Sequence, residues 1–186
     1  MIARETGNRR SEGNALGGLG GAFHSLGKTR RAIQYHEHHL AIAREIGDRH
    51  NESGALTSLG IAYNTLGNPR RAIEYHEKAL VISREIGDRS SEGLVLGNLG
   101  NPYAAMGDYR RSIEYQEKAL VISRESGDRR SEANALANIS EALYKINHRP
   151  KAIEHAEAAL KIFEEIEHPY AARIRKQLKK WRNSNS

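Results

Sequence analysis

The chain has 186 residues, of which 38% are hydrophobic and 28% charged, so it is too apolar and too regularly patterned to be disordered. It has no cysteine, no apolar run of about 18 residues and no signal-peptide core, which excludes disulfides and membrane spans and favours a cytoplasmic protein. The net charge of +6 is confined to one end: the only uncompensated basic residues, six of them, lie in 169–186, which argues against a nucleic-acid-binding surface along the body.

A period of 40 residues organises the sequence. Gly-Asp-Arg occurs at 47–49, 87–89 and 127–129, and Gly-Asn-Arg stands at 7–9. Four units follow, at about 8–47, 48–87, 88–127 and 128–167. Because self-similarity at this period is typical of stacked repeats, we expect each unit to pack on its neighbours.

Each unit is predicted to form two helices. In the second unit, Gly47 is a left-handed stop and Asp48 caps the helix that follows. Gly67 ends that helix, Asn68 caps the next, and Pro69 opens it, since proline is tolerated in the first turn. No segment alternates with period two between turn residues, so the fold class predicted is all-α.

The residue pattern within the repeat is more specific than its length. Residues 56–63 read Leu-x-x-Leu-Gly-x-x-Tyr and are followed by Ala72, and closely similar frames begin at Leu16 and Leu96. The glycine in this frame is expected to let the paired helix approach closely. The pattern resembles the tetratricopeptide signature, with leucine in place of the usual first tryptophan. The resemblance implies a right-handed superhelical solenoid of about four antiparallel helix pairs plus a C-terminal capping helix.

Two short sequence motifs make the family resemblance more specific. Residues 96–101 read Leu-Gly-Asn-Leu-Gly-Asn, and residues 43–49 read Ala-Arg-Glu-Ile-Gly-Asp-Arg. They are similar to the Leu-Gly-Asn repeat scaffolds of cell-polarity signalling and to the tetratricopeptide arms of signalling ATPases and caspase-like proteins. This resemblance implies a recognition or scaffolding arm of a larger protein.

The two ends differ from the repeats. Residues 1–7 resemble the tail of a second helix, so the chain is expected to begin inside a repeat and to expose an adhesive N-terminal face. At the other end, Tyr170, Ile174, Leu178 and Trp181 recur at helical spacing. They predict an amphipathic helix over 169–182 that covers the last pair and turns its basic face to water or to an acidic partner.

In tetratricopeptide stacks the first helix of each pair lines the concave surface, and helical phasing then selects mostly small or uncharged residues. The candidate partner-binding residues are Asn14, His24, Thr57, Ile61, Asn64, Asn101, Ala104, Asn134 and Tyr144. Asparagine amides both donate and accept hydrogen bonds, which suits an extended peptide backbone. The alternative is that crowding between repeats alone selects small residues. A clamp for a terminal carboxylate is not expected, because the corresponding positions hold no lysine.

Pro102 breaks the helical pattern, since the parallel residues are alanines. A mid-helix proline loses a hydrogen bond and clashes with the preceding turn, at about 3 kcal/mol, so we expect a kink near 98–102.

Several short motifs resemble those of enzymes or metal sites, but the neighbouring residues that such sites need are missing. Residues 26–29, Leu-Gly-Lys-Thr, echo a phosphate-binding loop, but Ala22 stands where that loop needs glycine and no strand precedes it, which favours a repeat turn. His36, His38 and His39 lack the converging ligands of a metal site. No nucleophile is paired with a base. We therefore expect neither enzyme, cofactor nor metal.

Arginines recur as pairs (at 30, 70 and 110) and singly at 44, 84 and 124. The nearby glutamates at 37, 77 and 117 and at 45, 85 and 125 are the expected partners, although an acidic protein surface is an alternative.

Two functional hypotheses remain. One is an interaction module that binds a peptide or helix in the groove. The other is a structural or oligomerisation segment that self-associates through its repeat ends.

Overall fold

The computed structural model describes the backbone of residues 2–183 and the side chains of residues 8–183. The regular elements of that range are all α-helices, with no strand among them, as predicted. They are α1 (Ile2–Ser25), α2 (Thr29–Glu45), α3 (Arg49–Thr65), α4 (Pro69–Glu85), α5 (Arg89–Ala105), α6 (Tyr109–Ser126), α7 (Arg129–Lys145), α8 (Arg149–Glu165) and α9 (Tyr170–Asn183). The chain forms two compact units, unit 1 up to Asn98 and unit 2 from Leu99.

Successive helices pack on one another within each unit. In unit 1, α1 packs on α2, α2 on α3, and α3 on α4. In unit 2, α6 packs on α7, α7 on α8, and α8 on α9.

Left-handed residues separate the helices. The predicted stops at Gly47 and Gly67 are confirmed, with φ of 69° and 76°. Only glycine adopts this conformation without strain. After the fourth pair begins, Asn147 (φ 62°) and Glu167 (φ 51°) take the same role.

The predicted caps are also confirmed. The Asp48 carboxylate accepts from the Asn51 N–H at 3.1 Å, and the Asn68 side chain accepts from the Arg71 N–H at 3.4 Å. Pro69 is in the first turn of α4.

A glycine in the first helix seats a planar side chain from the second. A Cβ added to Gly60 would lie 2.6 Å from both ring nitrogens of His76, too close for any real contact. Gly20 has the same relation to His36, and Gly100 has it to Gln116. The close approach expected at these glycines is confirmed.

Beside each such contact, two aromatic rings stack. The Tyr63 and Tyr75 rings lie 5.2 Å apart and nearly parallel, and the Arg71 guanidinium lies 5.3 Å from the Tyr63 centroid. Phe23 with Tyr35 and Tyr103 with Tyr115 repeat this arrangement. The second arginine of each pair therefore lies on a ring, where cation–π attraction of about 0.5–1 kcal/mol holds it.

The ion pairs differ from those expected. Arg44 does not pair with its neighbour Glu45: its Nε lies 2.8 Å from the buried Glu52 carboxylate, which also receives Arg49 at 2.6 Å. Arg84 with Glu92 and Arg124 with Glu132 repeat this across the following turn. The reason is position: the side chain of the glutamate in the next helix is almost fully shielded from water, so pairing there offsets more desolvation than at an exposed site.

The C-terminal helix covers the last pair, as predicted. Ile174, Leu178 and Trp181 of α9 are at most 5% exposed and join the core around Phe163.

Two expectations about helix continuity have different outcomes. From the sequence, residues 1–7 are predicted to be the tail of a preceding helix that ends at Gly7. That prediction is wrong, because α1 is one helix from Ile2 to Ser25. Glycine permits a left-handed stop but does not impose one. Met1 lies outside the described residues. α5 includes Pro102, which is buried, and the kink there stays a prediction.

The contact between Gly60 and His76 can be tested against a glycine in the same helix. Gly60→Ala is expected to lower the free energy of unfolding by about 1–3 kcal/mol, because the methyl group overlaps the imidazole. Gly54→Ala is the control: nothing lies within 4 Å of the added carbon, so helix propensity should stabilise the protein by up to about 1 kcal/mol. Urea unfolding followed by circular dichroism measures both, and equal stability of the two variants would contradict the packing.

The buried imidazole also makes stability depend on pH. Burial lowers the pKa of His76 to about 4, from an ordinary 6.5. Between pH 6.5 and pH 4 the unfolded state therefore binds more protons, and the free energy of unfolding should fall as the pH is lowered through this window. His76→Gln, which copies Gln116 of the next pair, should remove up to about 3 kcal/mol of that fall. A wild-type pH slope in the variant would show that His76 is not held neutral.

Candidate partner-binding surface

One face of each first helix reaches the surface at a regular interval. On α3 this face carries Gly54, Ile61 and Thr65, and on α7 it carries Asn134 and Lys145, all of them exposed. In α3 the opposite side of the helix is fixed by the contact of Gly60 with His76 and by the stack of Tyr63 on Tyr75. We call the exposed surface of the first helices the first-helix face, and in α3 it is therefore held in one orientation.

In α1, the two predicted residues lie on this face. Asn14 is exposed and His24 is half-buried. His24 Nε2 lies 3.1 Å from the Thr65 hydroxyl of α3, and that hydroxyl donates to the Ile61 carbonyl at 3.0 Å. Because the hydroxyl proton is used, His24 Nε2 is the donor to Thr65. The histidine thus links α1 to α3 and leans toward the next first helix.

In α3, the predicted residues differ in accessibility. Ile61 is 37% exposed, whereas Thr57 is only 6% exposed. The Thr57 hydroxyl donates to the Ser53 carbonyl at 2.9 Å. Thr57 therefore supports the helix and offers no free donor at the surface.

Two asparagines of unit 1 hold buried atoms without a partner. Asn64 Oδ1 and Asn98 Nδ2 are each shielded from water and form no hydrogen bond within the described part of the chain. Leaving such an atom unpaired costs about 1–3 kcal/mol. One is an acceptor and the other a donor.

Asn98 was missed by the sequence argument. Helical phasing selected Asn101 and Ala104 for this helix, and Asn98 lies three residues before Asn101. The 40-residue register offered a signal, since Ser58 and Asn138 are also polar at the equivalent positions. A phase error of one residue is enough to move a side chain by about 100° around a helix.

In unit 2 the surface is partly covered. Asn101 and Asn134 are exposed, and Ala104 is half-buried. The Tyr144 ring stacks on Trp181 of α9, with centroids 4.3 Å apart. One face of this candidate is therefore occupied by the capping helix.

Neither metal ligands nor a membrane span occur among the described residues. No group of three or more histidine, cysteine or acidic side chains could hold an ion there. His36 and His39 instead pack on glycines of α1. No described helix is both long and apolar enough to cross a bilayer.

Comparison with known proteins assigns the fold to a family. The family model described as Tetratricopeptide repeat matches residues 11–85 and 91–165. No curated protein matches the sequence.

Three solved structures illustrate the likeness. Aspartyl phosphate phosphatase F from Bacillus subtilis superposes with a TM-score of 0.87 at 17% identity, over 95% of this chain and 46% of that one. A Rap protein complexed with Competence and Sporulation Factor gives 0.80 at 16% identity, over 89% and 47%. A signal transduction ATPase with a tetratricopeptide repeat sensor, from Pyrococcus horikoshii, gives 0.74 at 26% identity, over 86% and 25%.

The chain spans less than half the length of each of these proteins. At such identities the first two show the fold, an all-α helical-repeat solenoid. The third comes from one of the groups that the sequence resembles. Together with the double match to the repeat model, the helix pairs and their glycine contacts show that the chain belongs to the tetratricopeptide repeat family.

Proposed function

We propose that this chain is a protein–protein interaction module that holds an extended segment of a protein or peptide on the first-helix face of unit 1. The observation that carries the proposal is the pair of unpartnered amide atoms, Asn64 Oδ1 and Asn98 Nδ2. Repeats of this family generally serve as non-catalytic interaction scaffolds, which supports the same conclusion.

The two atoms match the needs of a peptide backbone. A peptide bond offers one N–H donor and one carbonyl acceptor. Because both atoms are shielded from water in the free chain, each amide must first turn toward the surface. A peptide N–H can then donate to Asn64 Oδ1, and a peptide carbonyl can accept from Asn98 Nδ2. Binding would then satisfy both buried groups at once, which favours the bound state.

The repeat register supports a shared site for the two side chains. Asn64 occupies in α3 the position of His24 in α1, and His24 bonds to Thr65 of the following first helix. By analogy we infer that Asn64 turns toward α5, which carries Asn98. The proposed backbone site lies along α3 and the first half of α5.

Apolar side chains flank this site. Ile61 is 37% exposed and Leu94 is 58% exposed, both on the first-helix face of unit 1. They fit apolar side chains of the bound segment, while the asparagines hold its backbone. The exposed Asn14, and Asn101, Ala104 and Asn134 in unit 2, are proposed as further contacts.

A solved structure with the same fold contains a bound partner. The Rap protein whose structure resembles this chain was solved in complex with Competence and Sporulation Factor. That ligand is a property of the Rap protein. For this chain it supports the search for a bound partner.

The proposal is tested by selecting binders from a random peptide library on the wild-type chain and measuring them by fluorescence polarisation. Asn64→Ala and Asn98→Ala are each expected to weaken binding about fivefold, for a hydrogen bond of about 1 kcal/mol. Methylation of one backbone nitrogen of a selected peptide should weaken wild-type binding similarly. Because the free amides are unpaired, both variants should remain at least as stable as the wild type.

Asn183→Ala, which alters an exposed asparagine of α9, is the matched control and should bind like the wild type. Unchanged binding in the double variant Asn64→Ala/Asn98→Ala would exclude the proposed backbone site.

Self-association is a second candidate function, favoured by one asymmetry. Ala55, Leu59 and Ala62 form the stripe of α3 that is fully buried within unit 1. The equivalent stripe of α1, Ala15, Leu19 and Ala22, is exposed, with Leu19 at 46%. Its small–large–small order can pair with itself in an antiparallel arrangement, the leucine of each copy packing between alanines of the other. The proposed occupant is a second copy of this chain.

This candidate predicts that the molar mass rises with concentration. Leu19→Glu should keep the protein monomeric, because a charge replaces the centre of the stripe. Val121→Glu introduces the same charge at a residue that is 53% exposed in unit 2, and should leave self-association unchanged. Sedimentation equilibrium measures all three proteins, and a monomeric wild type at every concentration would exclude the dimer without affecting the peptide site.

A further inference from the structure

The first turn of α2 differs in charge from the equivalent turns of α4 and α6. Lys28 occupies the N-cap position and makes no side-chain capping bond. At the same position Asn68 accepts from the Arg71 N–H, and Asp108 accepts from the Arg111 N–H at 3.2 Å. A cation thus stands where the partially positive end of a helix prefers an anionic or neutral acceptor.

Two backbone N–H groups in this turn have no hydrogen-bond partner among the described residues. The N–H groups of Arg31 and Ala32 bond to the Lys28 carbonyl, at 3.0 and 3.1 Å. The N–H groups of Thr29 and Arg30 precede them and have no partner, as is usual for the first residues of a helix without a cap. They point out of the helix end in the direction in which anions bind.

A mostly buried threonine is a separate indication of a ligand. Thr29 is only 6% exposed, and its side chain makes no hydrogen bond within the described residues. Its hydroxyl oxygen is not among the fully shielded unpaired atoms, so it reaches the surface. Thr29 lines an open surface cavity of about 630 Å³ together with Gly27, Lys28, Arg30, Arg31 and Leu66. An unpaired hydroxyl and two unpaired backbone donors therefore belong to residues that line this cavity.

The charge at this cavity is not compensated. None of Lys28, Arg30 and Arg31 has a carboxylate partner among the described side chains, and the Arg31 guanidinium lies 5.7 Å from the Phe23 centroid. At the equivalent turn of the third pair, Arg111 lies 3.4 Å from the Asp108 carboxylate. Lys28 in place of that aspartate removes the acceptor and adds a positive charge.

We propose that the start of α2 is a binding site for a phosphate monoester dianion, held by the Thr29 hydroxyl, the N–H groups of Thr29 and Arg30, and the Lys28 ammonium. A phosphoryl group has three terminal oxygens and two negative charges, which match several converging donors and unpaired cations better than one carboxylate does. The open rim leaves room for the rest of the ester.

This site is distinct from a nucleotide-binding loop and from the peptide site. Residue 22 is alanine and no strand precedes the turn, so the loop that cradles a nucleotide triphosphate is absent from residues 22–29. Asn64 and Asn98 do not line the cavity. Either site can therefore fail in experiment without the other.

The test is a titration of the ¹⁵N-labelled chain with inorganic phosphate at pH 7.5, with phosphoserine and acetate as parallel probes. Saturable shifts of the Thr29 and Arg30 amides are expected with phosphate and phosphoserine, and at least tenfold weaker binding with acetate. Tighter binding of phosphoserine than of phosphate would identify an ester as the source, and the reverse order would identify free phosphate.

Two variants test the donors separately. Lys28→Asn restores the cap found at Asn68 and should weaken phosphate binding at least tenfold while raising the melting temperature. Thr29→Val keeps the shape of the side chain and should weaken binding several-fold through loss of the hydroxyl. Lys161→Asn removes an equal charge from an exposed position in unit 2 and should bind phosphate like the wild type.

Wild-type phosphate affinity in Lys28→Asn, or an absence of saturable shifts at the two amides in the wild type, would overturn the proposal. If Thr29→Val alone bound normally, the hydroxyl would be excluded as a ligand.

Discussion

In the first three helix pairs, the contact between a glycine of the first helix and a planar side chain of its partner sets the distance between the two helices. At Gly60 the His76 ring occupies the volume that any other residue would fill with a Cβ. The stacked rings of Tyr63 and Tyr75 hold the pair at a second level, about one turn away. Two fixed levels leave a helix little freedom to rotate, and so they decide which residues of α3 face outward.

Burial of the planar side chain disfavours its charged form, and the repeats place two kinds of neutral side chain there. His36 and His76 are buried with one ring nitrogen unpaired, and burial lowers the pKa of both to about 4. In the third pair, Gln116 fills the same place with a side chain that does not titrate. In these three pairs the position is therefore filled by a planar polar group that remains neutral, and ionisation is a liability of the histidine version. In the fourth pair the equivalent residues are Ser140 and Ala156, both fully buried.

The sequence predicted the features that depend on neighbouring residues in the chain. Asp48, Gly67 and Pro69 act on backbone groups within a few residues of themselves, so their type and spacing determine the turn. Partners across a turn were less accessible to prediction: Arg44 has Glu45 beside it, yet pairs with Glu52, because burial of the acceptor depends on the tertiary structure. The stacking of Trp181 on Tyr144 was inaccessible for a similar reason, since it depends on how α9 packs against α7. The orphaned amide of Asn98 could not be predicted, because whether a polar atom finds a partner depends on atoms from several helices.

Because the repeats are nearly identical, each residue can be compared with the residue at the equivalent position of the other repeats. Gly67–Ser90 and Gly107–Arg130 differ at six of 24 positions. Both segments form the same helices, so the packing of the helices does not by itself require these differences. Lys28 stands where α4 has Asn68 and α6 has Asp108, and it forgoes a cap worth about 1 kcal/mol. His148 of α8 also makes no side-chain capping bond, but it does not bring the permanent positive charge of a lysine. Asn98 likewise leaves a buried donor unpaired where Ser58 does not. At these positions another repeat has a residue that would make the protein more stable. A bound ligand can explain the less stable residue, because binding supplies the missing hydrogen bonds. Both proposed sites are of this kind, and each is a local exception to the period that builds the fold.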